Sequence, residues 1–122
     1  MNMKGQPYEP LTSPKRKIRW VLVDVEVLPT ASNWTKGNDR AVVHIVMPAF
    51  SYKDATRQLK EELPKHGYQF RYVDEFEDFN DVEWKTPEDK VLYYALFRTA
   101  QETRKFQFGK FYFYSSMDED ED

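Results

Sequence analysis

Alternating hydrophobic and polar positions predict where the first two strands of this chain lie. The clearer strand covers residues 18–28, because valine occupies four alternate positions and forms a β-branched stripe that must face a core. The opposite side of this strand is apolar at its start and ends in Asp24 and Glu26. Residues 41–47 form a second strand that is apolar on both sides except at His44, so we expect it to be central in a sheet.

Capping signals and helical spacing predict two helices between the remaining strands. Ser51 is a good N-cap for a helix that Pro64 ends, and Thr86, followed by a proline and two acids, is a strong start for the second helix. Aromatic alternation predicts strands at 68–73 and 106–114. The buried stripe predicted for the second helix consists of Leu92, Ala95, Leu96, Thr99 and Thr103.

The resulting order of elements, β-β-α-β-α-β, predicts an α+β fold. Two helices on one face of a four-stranded, mostly antiparallel sheet is the economical packing, and it resembles a ferredoxin-like sandwich. We expect a flexible leader at residues 1–16, a single domain at 17–115 and a disordered acidic tail at 116–122. Gly109 predicts a bend or bulge in the last strand.

Composition supports a folded protein and excludes several classes of site. Of the 122 residues, 40% are hydrophobic and 16% are aromatic, whereas disordered chains are poor in both groups. The absence of cysteine excludes disulfides, thiolate nucleophiles and cysteine-based metal sites, and it favours a cytoplasmic location. No apolar run approaches the 18 residues expected of a membrane helix.

The net charge of −3 conceals a strong separation of charge along the chain. Six of the ten residues at 74–83 are acidic and none is basic, and all five residues at 118–122 are acidic. The rest of the chain therefore carries an excess of lysine and arginine. Such asymmetry concerns partners and solubility more than fold.

Three weaker patterns suggest alternative functions. Asp24 and Glu26 lie on one side of a strand, as in metal-dependent phosphodiesterase-type enzymes, although the remaining acids show no such framework. The basic run at 15–17 and the aromatic strand at 106–114 suggest RNA binding, but they do not form an RNA-recognition motif. Tyr112 and Tyr114 would suit the interface of a small regulatory or ligand-binding homodimer. The isolated glycines form no phosphate-binding loop, and we expect no cofactor, no metal and no catalytic residue.

The acidic and aromatic stretch at 74–84 is the best candidate for a binding site. It can be explained as an edge strand whose charges prevent aggregation. However, aromatic anchors flanked by carboxylates are also what a high-affinity surface for a basic protein needs. The predicted partner-facing residues are Asp74, Glu75, Glu77, Asp78, Asp81 and Glu83, with Phe79 and Trp84 as anchors.

In size, architecture and this acidic segment, residues 17–115 resemble the small immunity proteins of bacterial polymorphic-toxin and contact-dependent inhibition systems. The resemblance implies a stoichiometric inhibitor that has no chemistry of its own. It also implies a basic protein partner, commonly a toxin nuclease, whose active site the inhibitor covers.

Overall fold

The computed structural model describes residues 15–117, in which four strands and two helices follow one another in the predicted order. The elements are β1 (Lys17–Val27), β2 (Arg40–Ala49), α1 (Tyr52–Glu62), β3 (Tyr68–Asp78), α2 (Pro87–Thr103) and β4 (Gln107–Tyr114). Short 3₁₀ helices at Leu63–His66 and Phe79–Asp81 follow α1 and β3. The α+β class is therefore confirmed.

All three strand pairings of the sheet are antiparallel, and the strand order is β3-β1-β2-β4. The hairpin of β1 and β2 lies at the centre, with a regular register from Lys17 opposite Ala49 to Glu26 opposite Arg40. The strands added after each helix, β3 and β4, form the two edges. The prediction that the second strand is central is confirmed.

The two helices cover opposite faces of the sheet, so the prediction of both helices on one face is wrong. On the face that we call the α1 face, the four alternating valines of β1 pack with Ala55 and Leu59 of α1. On the other face, which we call the α2 face, Trp20 and Val46 pack with Tyr93 of α2. Near Trp20 and Val46 the central strands are apolar on both sides. A single helical layer would therefore leave Trp20 and its neighbours in water.

Both edge strands contain irregularities. In β3 the register against β1 shifts twice, at Arg71 and at Asp74, and neither residue lies directly opposite a residue of β1. In β4 the register shifts at the point where Gly109 and Lys110 oppose His44 of β2. The predicted bulge at Gly109 is thus confirmed, and its cause is visible: a Cβ atom at this position would overlap the Tyr93 ring.

Local capping positions the helices as the sequence predicts. The Ser51 hydroxyl accepts a hydrogen bond from the backbone N–H of Asp54, and the Thr86 hydroxyl accepts one from the backbone N–H of Asp89. Of the predicted stripe of α2, Leu96 packs against the core, but the rest is wrong because the helix buries Tyr93 and Ala100 and leaves Leu92 39% exposed. The residues on either side of this stripe include several large aromatics, so helical spacing alone does not select the buried side.

The predicted leader and acidic tail lie mostly outside the described residues. Within them, Ser116 donates two hydrogen bonds to the carboxylate of Asp39, at 2.8 Å from its backbone nitrogen and 2.7 Å from its hydroxyl. These bonds lower the pKa of Asp39. Between residues 15 and 117, neither helix is long and apolar enough to cross a membrane.

Candidate functional site

An open cavity of about 350 Å³ lies on the α2 face, where β3, the connection to α2 and the start of α2 meet. Aromatic side chains from both central strands and from α2 form its floor, and acidic side chains surround it. The residues that line it are Trp20, Leu22, His44, Glu75, Glu77, Val82, Glu83, Trp84, Lys85, Asp89, Tyr93 and Tyr112. We call it the acidic cavity. Its volume falls within the range of small binding pockets.

The floor of the acidic cavity is built on Trp20, which is 7% exposed. The Trp20 ring lies 4.4 Å from the His44 ring and meets Tyr93 edge to face at 4.6 Å. Trp84 stacks on Tyr93, with 5.4 Å between ring centroids and an interplanar angle of 14°. Such contacts add to the free energy of burial and hold each ring in a defined orientation.

The connection between β3 and α2 is fixed at both ends, which places Glu83 and Trp84 over the sheet. The carboxylate of Asp78 accepts a hydrogen bond from the Asn80 backbone at 3.0 Å and caps the 3₁₀ helix. Phe79 is only 1% exposed and stacks on Phe97 of α2 at 4.7 Å. The buried Phe79 therefore holds the connection against α2 through its contact with Phe97.

Four carboxylates surround the floor. Glu75 and Glu77 lie opposite Leu22 and Trp20 in the β1–β3 pairing, so their side chains share the α2 face. Glu83 comes from the connection, and Asp89 comes from the first turn of α2.

Only one of these four carboxylates is neutralised. Asp89 accepts a hydrogen bond from the Lys110 ammonium group, and this bond lowers the pKa of Asp89 and raises that of Lys110. Glu75, Glu77 and Glu83 form no ion pair within residues 15–117. Lys85 is the one basic residue in the lining that has no ion pair in the same part of the chain. The cavity therefore has a net negative charge.

Beneath the cavity, His44 and Tyr93 belong to one hydrogen-bond network. The Tyr93 hydroxyl accepts a hydrogen bond from the Lys110 backbone N–H at 3.0 Å, and it lies 3.0 Å from Nδ1 of His44. Burial lowers the pKa of His44 below its ordinary value of 6.5, which favours the neutral imidazole at pH 7. Burial also raises the pKa of Tyr93.

The structure brings together only part of the predicted binding segment. Glu75, Glu77, Glu83 and Trp84 line the acidic cavity. The remaining predicted acids lie elsewhere: Asp74 is exposed at a β3 irregularity, Asp78 lies 3.8 Å from the Lys17 ammonium group, and Asp81 is exposed in the 3₁₀ helix. Phe79 was predicted as an anchor for a partner, and this is wrong because its side chain is in the core.

Asp24, the other acid that the sequence analysis considered, is buried in a different network. Its Oδ1 accepts a hydrogen bond from Nη1 of Arg71 at 2.8 Å, and its Oδ2 accepts one from the Tyr114 hydroxyl at 2.6 Å. Glu26, two residues further on, is exposed. Across residues 15–117 no group of three or more histidines, cysteines and acids is placed to hold a metal ion.

Sequence reasoning missed the residues that other segments contribute to the cavity. Trp20 and His44 come from the central hairpin, and Asp89 and Tyr93 come from α2. The available signal was the period of two, which places Trp20, Glu75 and Glu77 on one face once β1 and β3 are paired. The pairing of β1 with β3 depends on contacts between distant segments, and the sequence pattern alone does not predict it.

The arrangement is suited to holding a cation. An aromatic floor attracts an ammonium or guanidinium group, and carboxylates at the margin form charge-assisted hydrogen bonds with it. Among the described residues that line the cavity there is no serine, threonine or cysteine. Comparisons of the chain with protein-family models, with curated proteins and with solved structures found no match.

Proposed function

We propose that this protein is a stoichiometric inhibitor of the immunity type, which binds a basic protein through the acidic cavity. The observation that carries the proposal is the set of three unpaired carboxylates, Glu75, Glu77 and Glu83, around a rigid aromatic floor. A lysine or arginine of the partner would insert its cationic group above Trp20 and Trp84.

The geometry explains why a binder of this kind would be both fast and specific. Unpaired carboxylates at the open rim attract a basic partner from a distance and raise the association rate. The aromatic rings supply desolvated contact area at the centre, where most of the binding free energy of an interface is concentrated. In this proposal the protein acts in the cytoplasm and has no catalytic residue of its own.

The test compares two variants that remove the same number of negative charges. Glu75→Gln, Glu77→Gln and Glu83→Gln together neutralise the rim of the cavity. The matched control combines Asp74→Asn, Asp81→Asn and Glu88→Gln, which are exposed acids outside the cavity lining. Each variant and the unmodified protein are used to capture proteins from the native host, and the captured protein is purified and titrated.

We expect the unmodified protein and the control to bind the same basic protein in a 1:1 complex and to inhibit its activity stoichiometrically. The cavity variant should bind at least about tenfold more weakly, equivalent to about 1.4 kcal/mol. Binding of the unmodified protein should also weaken as salt is raised. Equal losses in the two variants would show that net charge, and not the cavity, determines binding.

A further inference from the structure

A second cavity, of about 530 Å³, lies between α1, the start of β4 and the turn that joins α2 to β4. Its lining includes four cationic side chains, Arg16, Arg57, Arg104 and Lys105, against the two carboxylates of Glu61 and Glu62. We call it the basic cavity. Asp89 and Arg104 are separated by the length of α2, about 22 Å at 1.5 Å per residue, so the two cavities lie near opposite ends of this helix.

Ion pairs within the protein occupy half of these cations. Arg16 contacts the carboxylate of Asp54 at 2.9 Å, and Arg57 contacts Asp54 at 2.7 Å and Glu61 at 3.3 Å. Glu62 is itself paired with Lys65 at 3.0 Å. Arg104 and Lys105, by contrast, have no carboxylate partner anywhere in residues 15–117.

The backbone of Arg104 adopts a conformation that usually favours glycine. Its φ of 60° is the left-handed conformation that ends α2, and its N–H donates to the Ala100 carbonyl at 2.8 Å. Glycine is the usual residue at this position because it adopts the conformation without steric strain. A non-glycine residue under such strain is a recognised mark of functional sites.

The guanidinium group of Arg104 is also held in place. One of its terminal nitrogens donates to the backbone carbonyl of Arg16, which leaves the other N–H groups available to an anion. Next to it, the imidazole of His66 packs edge to face against Phe106 at 5.6 Å and Phe108 at 5.3 Å. The cavity therefore combines two unpaired cations with a rigid aromatic wall.

We propose that the basic cavity binds a small molecule that carries a phosphate monoester. Arg104 would bind two phosphate oxygens with its forked N–H groups, and Lys105 would supply a second positive charge for the dianion. The volume of the cavity exceeds that of a bare phosphate ion and accommodates an organic group against Phe106 and His66. This site is separate from the acidic cavity and does not depend on the function proposed for it.

Calorimetric titration of the full chain with phenyl phosphate, inorganic phosphate and phenol tests the proposal. We expect phenyl phosphate to bind more tightly than inorganic phosphate, and phenol not to bind. Equal affinity for the two phosphates would show an ion site without an organic subsite, and binding of phenol alone would show a merely apolar pocket. Either result would overturn the proposal.

The substitution Arg104→Gly separates binding from folding. It removes the guanidinium group and relieves the left-handed strain, so the melting temperature should be unchanged or higher while phenyl phosphate binding falls at least tenfold. Arg98→Gln is the matched control, because Arg98 is an exposed cation of α2 that does not line the cavity. Lys105→Gln provides a second variant that leaves the end of the helix intact.

If Arg104→Gly or Lys105→Gln binds phenyl phosphate as the unmodified protein does, the site assignment is wrong. The same holds if the Arg98→Gln control loses as much affinity as they do. The variant with Glu75, Glu77 and Glu83 neutralised should bind phenyl phosphate at least as well as the unmodified protein. Failure here and failure of the inhibitor proposal can therefore be told apart.

Discussion

On one side of the sheet, β1 buries four alternating valines under α1; on the other side, the same strand buries Trp20 and, four residues later, the carboxylate of Asp24. From Val21 to Val27 the α1 face of β1 is aliphatic, and aromatic side chains of the edge strands, such as Tyr68 and Phe108, pack around it. The α2 face is covered by its helix near Trp20, and its remaining part bears polar and aromatic side chains such as Tyr112, which is 51% exposed.

This difference separates what stabilises the fold from what can bind a partner. The valines and leucines at the centre of the α1 face pack closely and contribute mainly free energy of burial, and the basic cavity lies at the margin of this face, beside the end of α1. Aromatic rings of the α2 face meet edge to face and leave a cavity that their carboxylate neighbours line. Substitutions in the two faces should therefore have different consequences.

The largest effect is expected from Leu59→Ala on the α1 side. Leu59 is fully buried in the core, and its truncation should lower the free energy of unfolding by about 2–5 kcal/mol, measured by urea denaturation. The same change at Leu92 of α2, which is 39% exposed, should cost about 1 kcal/mol or less. Similar losses at the two positions would contradict the assignment of the two faces.

The second largest loss of stability is expected from removing the buried carboxylate of Asp24 on the α2 face. Asp24→Ala leaves the Arg71 charge without this partner, and we expect a loss of about 3 kcal/mol, at the lower end for buried pairs because the Arg71 side chain is 25% exposed. Glu26→Ala, on the same side of β1 but exposed, should change stability by no more than about 0.5 kcal/mol. Chemical denaturation of both variants measures the difference.

A smaller loss of stability should follow from Gly109→Ala. This position lies against Tyr93, which belongs both to the core of the α2 face and to the floor of the acidic cavity. The new methyl group would overlap the Tyr93 ring and displace its hydroxyl from His44. We expect a loss of about 1–3 kcal/mol in stability, as for other overpacked positions. In a Tyr93→Ala background the same substitution should cost much less, because only the close approach to the His44 backbone carbonyl would remain, and a full loss there would rule out the clash with Tyr93 as the cause.

The smallest expected effect is a fall in stability at low pH, and it arises from Asp54 of α1. Although burial raises the pKa of Asp54, hydrogen bonds from Arg16, the Phe50 backbone and Arg57 outweigh burial, so the folded-state pKa is below the ordinary value of 3.8. The unfolded chain therefore binds this proton more readily. The stabilisation from Asp54 is complete well above pH 3.8 and is lost as the pH falls through and below it.

The free energy of unfolding should decline as the pH falls below about 5. Protonation of Asp54 contributes at most about 1.4 kcal/mol per pH unit to this slope. Asp54→Asn should remove that part of the slope. Asp74→Asn, which replaces an exposed acid, should leave it in place. An unchanged slope in Asp54→Asn would assign the acid sensitivity to other groups.

Features that depend on neighbouring residues in the chain were predictable from the sequence. The N-caps Ser51 and Thr86 lie where predicted, because a cap bonds to a backbone N–H only three residues away. The valine stripe of β1 and the bulge at Gly109 are also local patterns. Within the candidate site, four residues belong to the acidic and aromatic stretch at 74–84 that the sequence analysis singled out: Glu75, Glu77, Glu83 and Trp84.

Features that depend on which segments meet were not predictable. The face that α2 covers follows from the apolar patch around Trp20, which becomes continuous only when β1 pairs with β2. The buried side of α2 was misassigned because Tyr93, Tyr94 and Phe97 surround the helix with large apolar groups. His44 belongs to the site through contacts with residues distant in the sequence, such as Trp20 and Tyr93, the latter 49 residues later.

The irregular edges of the sheet have a consequence for the protein at high concentration. An unbroken edge strand offers a continuous row of backbone donors and acceptors, and another molecule can add a strand to it. Within residues 15–117 the two edge strands interrupt that row, at Arg71 and Asp74 in β3 and at Gly109 in β4, and two of these positions carry a charge. Addition of a strand from another molecule is therefore disfavoured at both edges.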